Sequence, residues 1–267
     1  MHKKLVTFFR QLSREVKKGV SSKAVGKNSK GQTTKFFDVY CESRIIAFLK
    51  KNITYKTTII SEEIAEPFVI NEKAKTPMHY IIIDPVDGSD NYMNSVGFVC
   101  VGIAVFDSNY EPVMSFAGNY FTGDYFYADK KTAVINGKKA CIKKTSAPVR
   151  NSALLVMSNN TFKDGQALLK FADSFESIRS LGATVGEMLQ ILMGHYGVFI
   201  DVRGKLSLEN FAPYFIAQKY GLLIITDPFG RPLKLKGLEL VTGYDVVAAV
   251  DAGFHRKMIK GLKKVIK

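Results

Sequence analysis

Cysteine, histidine and acidic residues are all scarce in this chain, and each scarcity excludes a class of function. The 267 residues hold three cysteines, Cys41, Cys100 and Cys141, odd in number and far apart, so neither a disulfide framework nor a zinc-type cysteine pair is present. Reduced core thiols are expected. The four histidines, His2, His79, His195 and His255, show no ligand spacing, and no chemistry is assigned to them. No hydrophobic run approaches the roughly 18 residues of a membrane span, and the N-terminus shows no short apolar segment followed by a cleavage site. A cytoplasmic protein with no membrane partner is the expectation. Internal repeats and low-complexity tracts are missing as well.

The acid deficit is large: 38 Lys and Arg face 24 Asp and Glu, a net charge of +14. Such a balance points to an anionic partner: nucleic acid, an acidic membrane or a phosphorylated substrate. Lysines dominate and are scattered, as in Lys17-Lys18, Lys50-Lys51, Lys130-Lys131, Lys138-Lys139, Lys143-Lys144 and the group from Lys257 to Lys267. Sequence-reading surfaces favour Arg with interleaved aromatics, so a solvated lysine surface is the first reading and a basic nucleic-acid-binding protein the lesser one. At 46% hydrophobic and 23% charged, the composition supports one large or two small domains.

In chain order, Leu5, Phe8, Phe9, Leu12 and Val16 predict an amphipathic helix over 3–18. Ser21 to Thr34 is Gly-, Ser-, Lys- and Thr-rich and reads as a mobile loop. A helix over 36–51 follows, with Asp38 and Glu42 one turn apart on one face. Ile59-Ile60 leads into Glu62-Glu63. Phe98 to Phe106 is a further apolar strand, and hairpins with turns at Asp107-Ser108-Asn109, Thr122-Gly123-Asp124 and Asn136-Gly137 run on to Ile142. This half reads as helices on an antiparallel sheet. After Ser146-Ala147-Pro148 the pattern alternates: strands at 153–157, 177–181, 198–202, 222–226 and 246–250, helices at 164–171, 185–195 and 207–220, and a basic terminal helix. Two domains are expected, an α+β domain over 1–148 and an α/β domain over 149–267.

Against the basic background one stretch is acidic. The β-formers Tyr80 to Ile83 give way to Asp84-Pro85-Val86-Asp87-Gly88-Ser89-Asp90-Asn91, a strand stopping at a polar turn. Pro85 fixes one dihedral and Gly88 permits a backbone that a side chain would forbid, which holds Asp84 and Asp87 close together. Paired carboxylates repel unless a cation separates them, and oxygen-only donors favour magnesium, calcium or manganese over zinc. If Gly88 and Ser89 open a helix, their amides face a phosphate. An ordinary turn explains the same residues. The calcium-binding helix-loop-helix does not, because its third and fifth ligand positions fall on Val86 and Gly88. Haloacid-dehalogenase phosphatases, whose two acids are separated by one residue, do not match either, since two residues lie between Asp84 and Asp87.

The pattern Asp-Pro-aliphatic-Asp-Gly-Ser-x-Asn after an apolar strand resembles the signature of the inositol monophosphatase superfamily, which includes archaeal-type fructose bisphosphatases. The resemblance extends to Glu62-Glu63, to Arg179-Ser180-Leu181-Gly182-Ala183, and to Asp201 followed by a helix entering at Glu209. It implies a layered α/β/α/β/α sandwich and a cytoplasmic, homodimeric, Mg2+-dependent phosphoric monoester hydrolase. Its substrate would be a small phosphorylated polyol or sugar, inositol 1-phosphate or fructose 1,6-bisphosphate. The resemblance also implies two or more ions, with Mn2+ able to substitute.

The site residues follow from the same resemblance. Glu63, Asp84 and the Val86 carbonyl would hold the first ion, and Asp84, Asp87 and Glu209 the second. Glu63 and the Ser89 hydroxyl would orient the attacking water while the Gly88 and Ser89 amides grip the phosphate. Asp38 would face the metal site. Gly182, Ala183, Thr184 and Asp201 would contact the alcohol portion, and Arg179, Arg203 or Lys205 a second phosphate. Asp201 pairing with Arg203 and close packing at Gly182 and Ala183 are the alternatives.

Three departures stand out. Lys30 or Gln32 replaces a loop acid, Ser89 replaces the commoner Thr, and Glu209, between Leu208 and Asn210, stands where the family has Asp after Trp, with Pro213 soon following. They leave open a weakened family member that binds phosphate or polyanions.

Overall fold

The computed structural model describes residues 1–28, 31, 33–64, 66–141, 152–156, 165–233, 240 and 243–266, without the side chains of 165 and 168. Lys30, Gln32 and the expected boundary at Ser146-Ala147-Pro148 lie outside the described residues. The chain forms two compact units: Met1–Lys139 with Gly182–Gly186 and Glu209–Ile216, and Ala140–Leu181 with Glu187–Leu208 and Ala217–Lys267.

The first unit contains α1 (His2–Lys17), β1 (Ala24–Lys27), β2 (Thr33–Lys35), α2 (Phe36–Asn52), β3 (Thr57–Ser61), β4 (Phe68–Ile70), β5 (His79–Asp87) and α3 (Ser89–Met93). It continues through β6 (Cys100–Phe106), β7 (Pro112–Asn119), β8 (Tyr125–Asp129), β9 (Ala133–Ile135) and β10 (Lys138–Lys139). The stretch read as a mobile loop contains instead an antiparallel hairpin, β1 on β2. Its composition is turn-forming, but Val25, Thr33 and Thr34 supply strand residues at either end. An eight-stranded sheet runs in the order β10-β9-β8-β7-β6-β5-β3-β4. It is antiparallel except where β3 and β5 lie parallel, Thr57 against His79 through Ser61 against Ile83.

Alternation along the strands sends Ile81, Ile83, Val101, Ile103, Val105 and Phe116 into one core with Leu5, Phe9 and Leu12 of α1 and Phe37, Ile45 and Leu49 of α2. Burying each of these side chains contributes about 1.5–3 kcal/mol. The Asn136-Gly137 turn between β9 and β10 has positive φ at both residues, 50° and 79°, as the sequence requires of a tight hairpin.

β5 does not stop at Ile83. It continues to Asp87, with Asp84 opposite Gly102 and Asp87 opposite Cys100, and the register shifts between those pairs. The shift is the physical answer to Pro85, which has no N–H for the ladder and is accommodated inside a sheet only at a bulge.

The second unit holds β11 (Ser152–Val156), α4 (Gly165–Ala172), β12 (Ser177–Arg179), β13 (Val198–Leu206), α7 (Phe215–Lys219), β14 (Ile224–Thr226), β15 (Tyr244–Ala249) and α8 (Ala252–Val265); α5 (Thr184–Leu192), α6 (Leu208–Phe211) and α7 each have residues in both units. Its sheet, β12-β11-β13-β15-β14, is mixed: β11 is parallel to β12 and β13, while β15 is antiparallel to β13 and β14. Leu155, Val198, Ile200 and Val247 pack with Phe254, Met258 and Leu262 of α8. Asp251 caps that helix, accepting from the Phe254 N–H at 2.6 Å.

The single helix expected over 207–220 is broken into α6, a 3-10 turn at Ala212–Tyr214 and α7. Pro213 sits in the first positions of that turn, where its missing N–H costs no helical bond.

Candidate functional site

The end of β5 gathers most of the polar groups that the sequence marks. Asp84 is 1% exposed. Its Oδ1 accepts from the Val86 N–H at 3.2 Å and its Oδ2 from the Asn210 side-chain amide at 2.8 Å. Asp87 Oδ2 accepts from the Val185 N–H at 2.6 Å. Gly88, at φ 91°, turns the chain so that α3 opens at Ser89. A side chain at Gly88 would place its Cβ 2.9 Å from the Phe98 carbonyl oxygen and 3.0 Å from the Ala183 Cβ, so glycine is required for both conformation and space.

Ser89 Oγ lies within donor distance of Asp38 Oδ1, 3.0 Å, and of the Val86 carbonyl, 3.1 Å. Its one proton serves either acceptor at a time. Asp38, in the first turn of α2, also accepts from the Lys35 N–H at 2.9 Å. Past the end of β3, Glu63 Oε2 accepts from the Thr34 hydroxyl at 2.6 Å and Glu62 Oε1 from the Asn28 amide at 3.2 Å, so the β1–β2 hairpin reaches both glutamates.

These acids perturb one another. Burial pushes the Asp38 carboxyl up to about 7, with the charges of Glu63 and Glu62 adding to it against the pull of the Lys35 N–H and Ser89 hydroxyl. Glu42, one turn further along α2 and 7% exposed, is pushed up to about 7 by burial first, then by Glu63 and Asp38.

Glu209 is 1% exposed and opens α6 beside Asn210. The Asn210 bond to Asp84 thereby ties the start of this helix to the acidic turn. Gly182, at φ 74°, leaves room for the Asn91 side chain, whose Oδ1 would stand 3.2 Å from an added Cβ and whose amide donates to the Phe98 carbonyl at 2.8 Å. Ala183 and Thr184 are buried next to it. The first unit therefore brings together Asp38, Asp84, Val86, Asp87, Gly88, Ser89, Gly182, Ala183 and Thr184, with Glu63 and Glu209 in the same unit.

Arg179, Asp201, Arg203 and Lys205 belong to the second unit. There Asp201, fully buried, is clamped by Arg203, whose Nε and Nη2 donate at 3.0 and 2.7 Å. That pairing holds the guanidinium above its ordinary value, with Glu187 contributing. Arg179 is exposed and donates to the neighbouring Ile178 carbonyl.

Among the described residues no three or more His, Cys, Asp or Glu side chains form a group able to hold a metal ion. Both oxygens of Asp84 accept from the Val86 N–H and Asn210, and one oxygen each of Asp87 and Glu63 accepts from the Val185 N–H and the Thr34 hydroxyl. The donors themselves are all oxygen, from carboxylates, the Val86 carbonyl and the Ser89 hydroxyl. By that chemistry, and because burial first and neighbouring carboxylates second lift Asp38 and Glu42, the residues suit a hard divalent cation.

Three contributors escape a reading of the sequence. Asn210 is hidden beside an acid, Thr34 in a polar loop, and Tyr120, whose hydroxyl donates to the Pro85 carbonyl at 2.8 Å, in an apolar run. Only Asn210, adjoining Glu209, stood next to a signal.

The sequence profile of the inositol monophosphatase family matches residues 3–210. A fructose-1,6-bisphosphatase/inositol-1-monophosphatase of Methanocaldococcus jannaschii is 30% identical over 214 residues, 80% of this chain and 79% of its own length. Among solved structures, an inositol monophosphatase–fructose 1,6-bisphosphatase superposes with a TM-score of 0.78 at 24% identity, covering 98% of this chain and 99% of its own. An IMPase/NADP phosphatase complexed with Mg2+ and phosphate gives 0.77 at 16% identity, covering 100% and 97%. The two structural likenesses establish a shared fold. Together with the profile match over most of the chain and the relative that spans four-fifths of it, they make this protein a member of the inositol monophosphatase family.

Proposed function

We propose that this phosphatase of the inositol monophosphatase family is Mg2+-dependent and hydrolyses small phosphate monoesters, with inositol 1-phosphate and fructose 1,6-bisphosphate as its first candidate substrates. The observation that carries the reading is the end of β5, where Asp84, Asp87 and Ser89 flank a left-handed glycine at the start of a helix and Ser89 meets Asp38. The names of the Methanocaldococcus relative and the Mg2+ and phosphate held by one structural neighbour support it.

Hydrolysis of a phosphate ester requires neutralised phosphoryl oxygens, a positioned water and help for the departing alkoxide. Divalent ions held by Glu63, Asp84, Asp87, Glu209 and the Val86 carbonyl would supply Lewis-acid neutralisation and make a water more acidic. The chain's own groups do the rest. The Gly88 and Ser89 amides donate to the phosphate. Glu63, fixed by the Thr34 hydroxyl, accepts a proton from the attacking water, and the Ser89 hydroxyl orients it. The Val185 N–H holds Asp87 in place, and Gly182, Ala183 and Thr184 border the alcohol portion. A homodimer in the cytoplasm is the expected setting.

The absence of a converged acid group among the described residues favours a second reading, a weakened member that binds phosphate or polyanions without turning them over. Phosphate release from inositol 1-phosphate, fructose 1,6-bisphosphate and NADP, with Mg2+ and with EDTA, decides between them. Release from at least one ester in Mg2+ and its loss in EDTA is expected. No release from any ester, with phosphate still raising the melting temperature, overturns the enzyme reading in favour of the second.

A further inference from the structure

One peptide unit inside the acidic turn is held at both ends. The Pro85 carbonyl accepts from the Tyr120 hydroxyl at 2.8 Å, and the N–H of the same peptide, on Val86, donates to Asp84 Oδ1 at 3.2 Å. The other carboxylate oxygen, Oδ2, accepts from the Asn210 amide at 2.8 Å. Tyr120 is fully buried just beyond β7, its N–H bonded to the Val99 carbonyl and its ring 5.9 Å from that of Phe9. It therefore has no alternative rotamer into solvent and acts as a fixed post. Asn210 stands on α6, directly after Glu209.

With both oxygens of Asp84 engaged and the adjoining peptide clamped, the carboxylate cannot rotate about its terminal bond without breaking a buried hydrogen bond. The next carbonyl along, that of Val86, accepts from the Ser89 hydroxyl at 3.1 Å.

The geometry points to Tyr120 and Asn210 as positioning residues that set the orientation of the Asp84 carboxylate for a divalent cation. This rests on the reading of Asp84 as a metal ligand given above. Neither is assigned as a ligand of the ion or a contact of the ester; their bonds are to the Pro85 carbonyl and to Asp84. Each acts through the ligand, in the way that hydrogen bonds behind metal ligands govern affinity elsewhere.

The test uses the full chain and Mn2+ itself, with free Mn2+ read by electron paramagnetic resonance and melting temperature measured in EDTA and in MgCl2. Tyr120→Phe removes only the hydroxyl, and Asn210→Leu removes the donor with the same number of side-chain heavy atoms. Each is expected to weaken Mn2+ binding by about 10-fold or more and to shrink the rise in melting temperature that MgCl2 produces, with lost turnover partly restored at high Mg2+. A purely structural role would lower the melting temperature equally in EDTA and MgCl2 and leave the Mn2+ affinity at the wild-type value, and that result overturns the proposal. Asp84→Asn separates the two levels. If it binds Mn2+ as the wild type does, Asp84 is not a ligand and the underlying reading fails. If it loses Mn2+ while Tyr120→Phe and Asn210→Leu do not, only the positioning role is refuted. Should Tyr120→Phe fail to fold, Asn210→Leu, on a half-buried residue, carries the same comparison.

Discussion

Replacing Gly88 by alanine tests the turn at its tightest point. The backbone there has φ 91°, a region that costs an L side chain about 1–2 kcal/mol. The new methyl would also stand 2.9 Å from the Phe98 carbonyl oxygen and 3.0 Å from the Ala183 Cβ. The carbonyl cannot swing aside freely, since it accepts the Asn91 amide at 2.8 Å, and relieving such overpacking costs about 1–3 kcal/mol more. The sum, roughly 2–5 kcal/mol, is a large part of the 5–15 kcal/mol that keeps a domain folded. At about 2–4 °C per kcal/mol the melting temperature should fall by roughly 4–20 °C. If the turn relaxes instead, the Gly88 and Ser89 amides move relative to Asp84 and Asp87, and kcat/KM should drop about 100-fold. Differential scanning calorimetry and phosphate release are the two assays. An alanine variant with wild-type melting and wild-type kcat/KM would refute the claim that this glycine shapes the site.

Asp87→Asn should abolish turnover in Mg2+, because it removes a carboxylate proposed to hold an ion, while Glu209→Asp, with the shorter acid, should keep or raise it; steady-state kinetics reads both, and full activity in Asp87→Asn removes that residue from the site. Gly118→Ala on β7 would put its Cβ 2.7 Å from the Phe9 ring, which is 2% exposed and wedged against Phe116, so urea unfolding should show a loss of about 1–3 kcal/mol. In EDTA the folded protein keeps a proton on Asp38 up to about 7 against an ordinary 3.8, so the stability that proton confers is full below about pH 4 and lost as pH rises through 7. Asp38→Asn, neutral throughout, should therefore gain melting temperature relative to the wild type across that window, and a constant difference would contradict the assignment. Mg2+, by favouring the charged carboxylate, should reduce the pH dependence.

The apolar alternation of the strands and the spacing of α1 and α2 were legible because burial imposes periods of 2 and 3.6 on the sequence. The Asp84–Asn91 pattern was legible because proline, glycine and paired acids each have a local meaning. The bulge at Pro85 was not, since a register shift exists only relative to Gly102 and Cys100 on the neighbouring strand. The β1–β2 hairpin was masked by turn-forming residues whose pairing depends on the other arm. Pro213 announced a constraint on α6, but not the 3-10 turn that satisfies it. Least legible were the long-range placements: Gly182–Gly186 and Glu209–Ile216 pack with the first unit, and Asn210 and Tyr120 reach Asp84 and Pro85 from far along the chain. A hydroxyl or an amide that acts through one distant partner leaves no period and no motif in the sequence.

The most direct measurement is anomalous diffraction from a crystal soaked in MnCl2. The account predicts a manganese peak enclosed by the oxygens of Asp84, Asp87 and Glu63. No peak there, with the three carboxylates still turned to their present amide and hydroxyl partners, would contradict it.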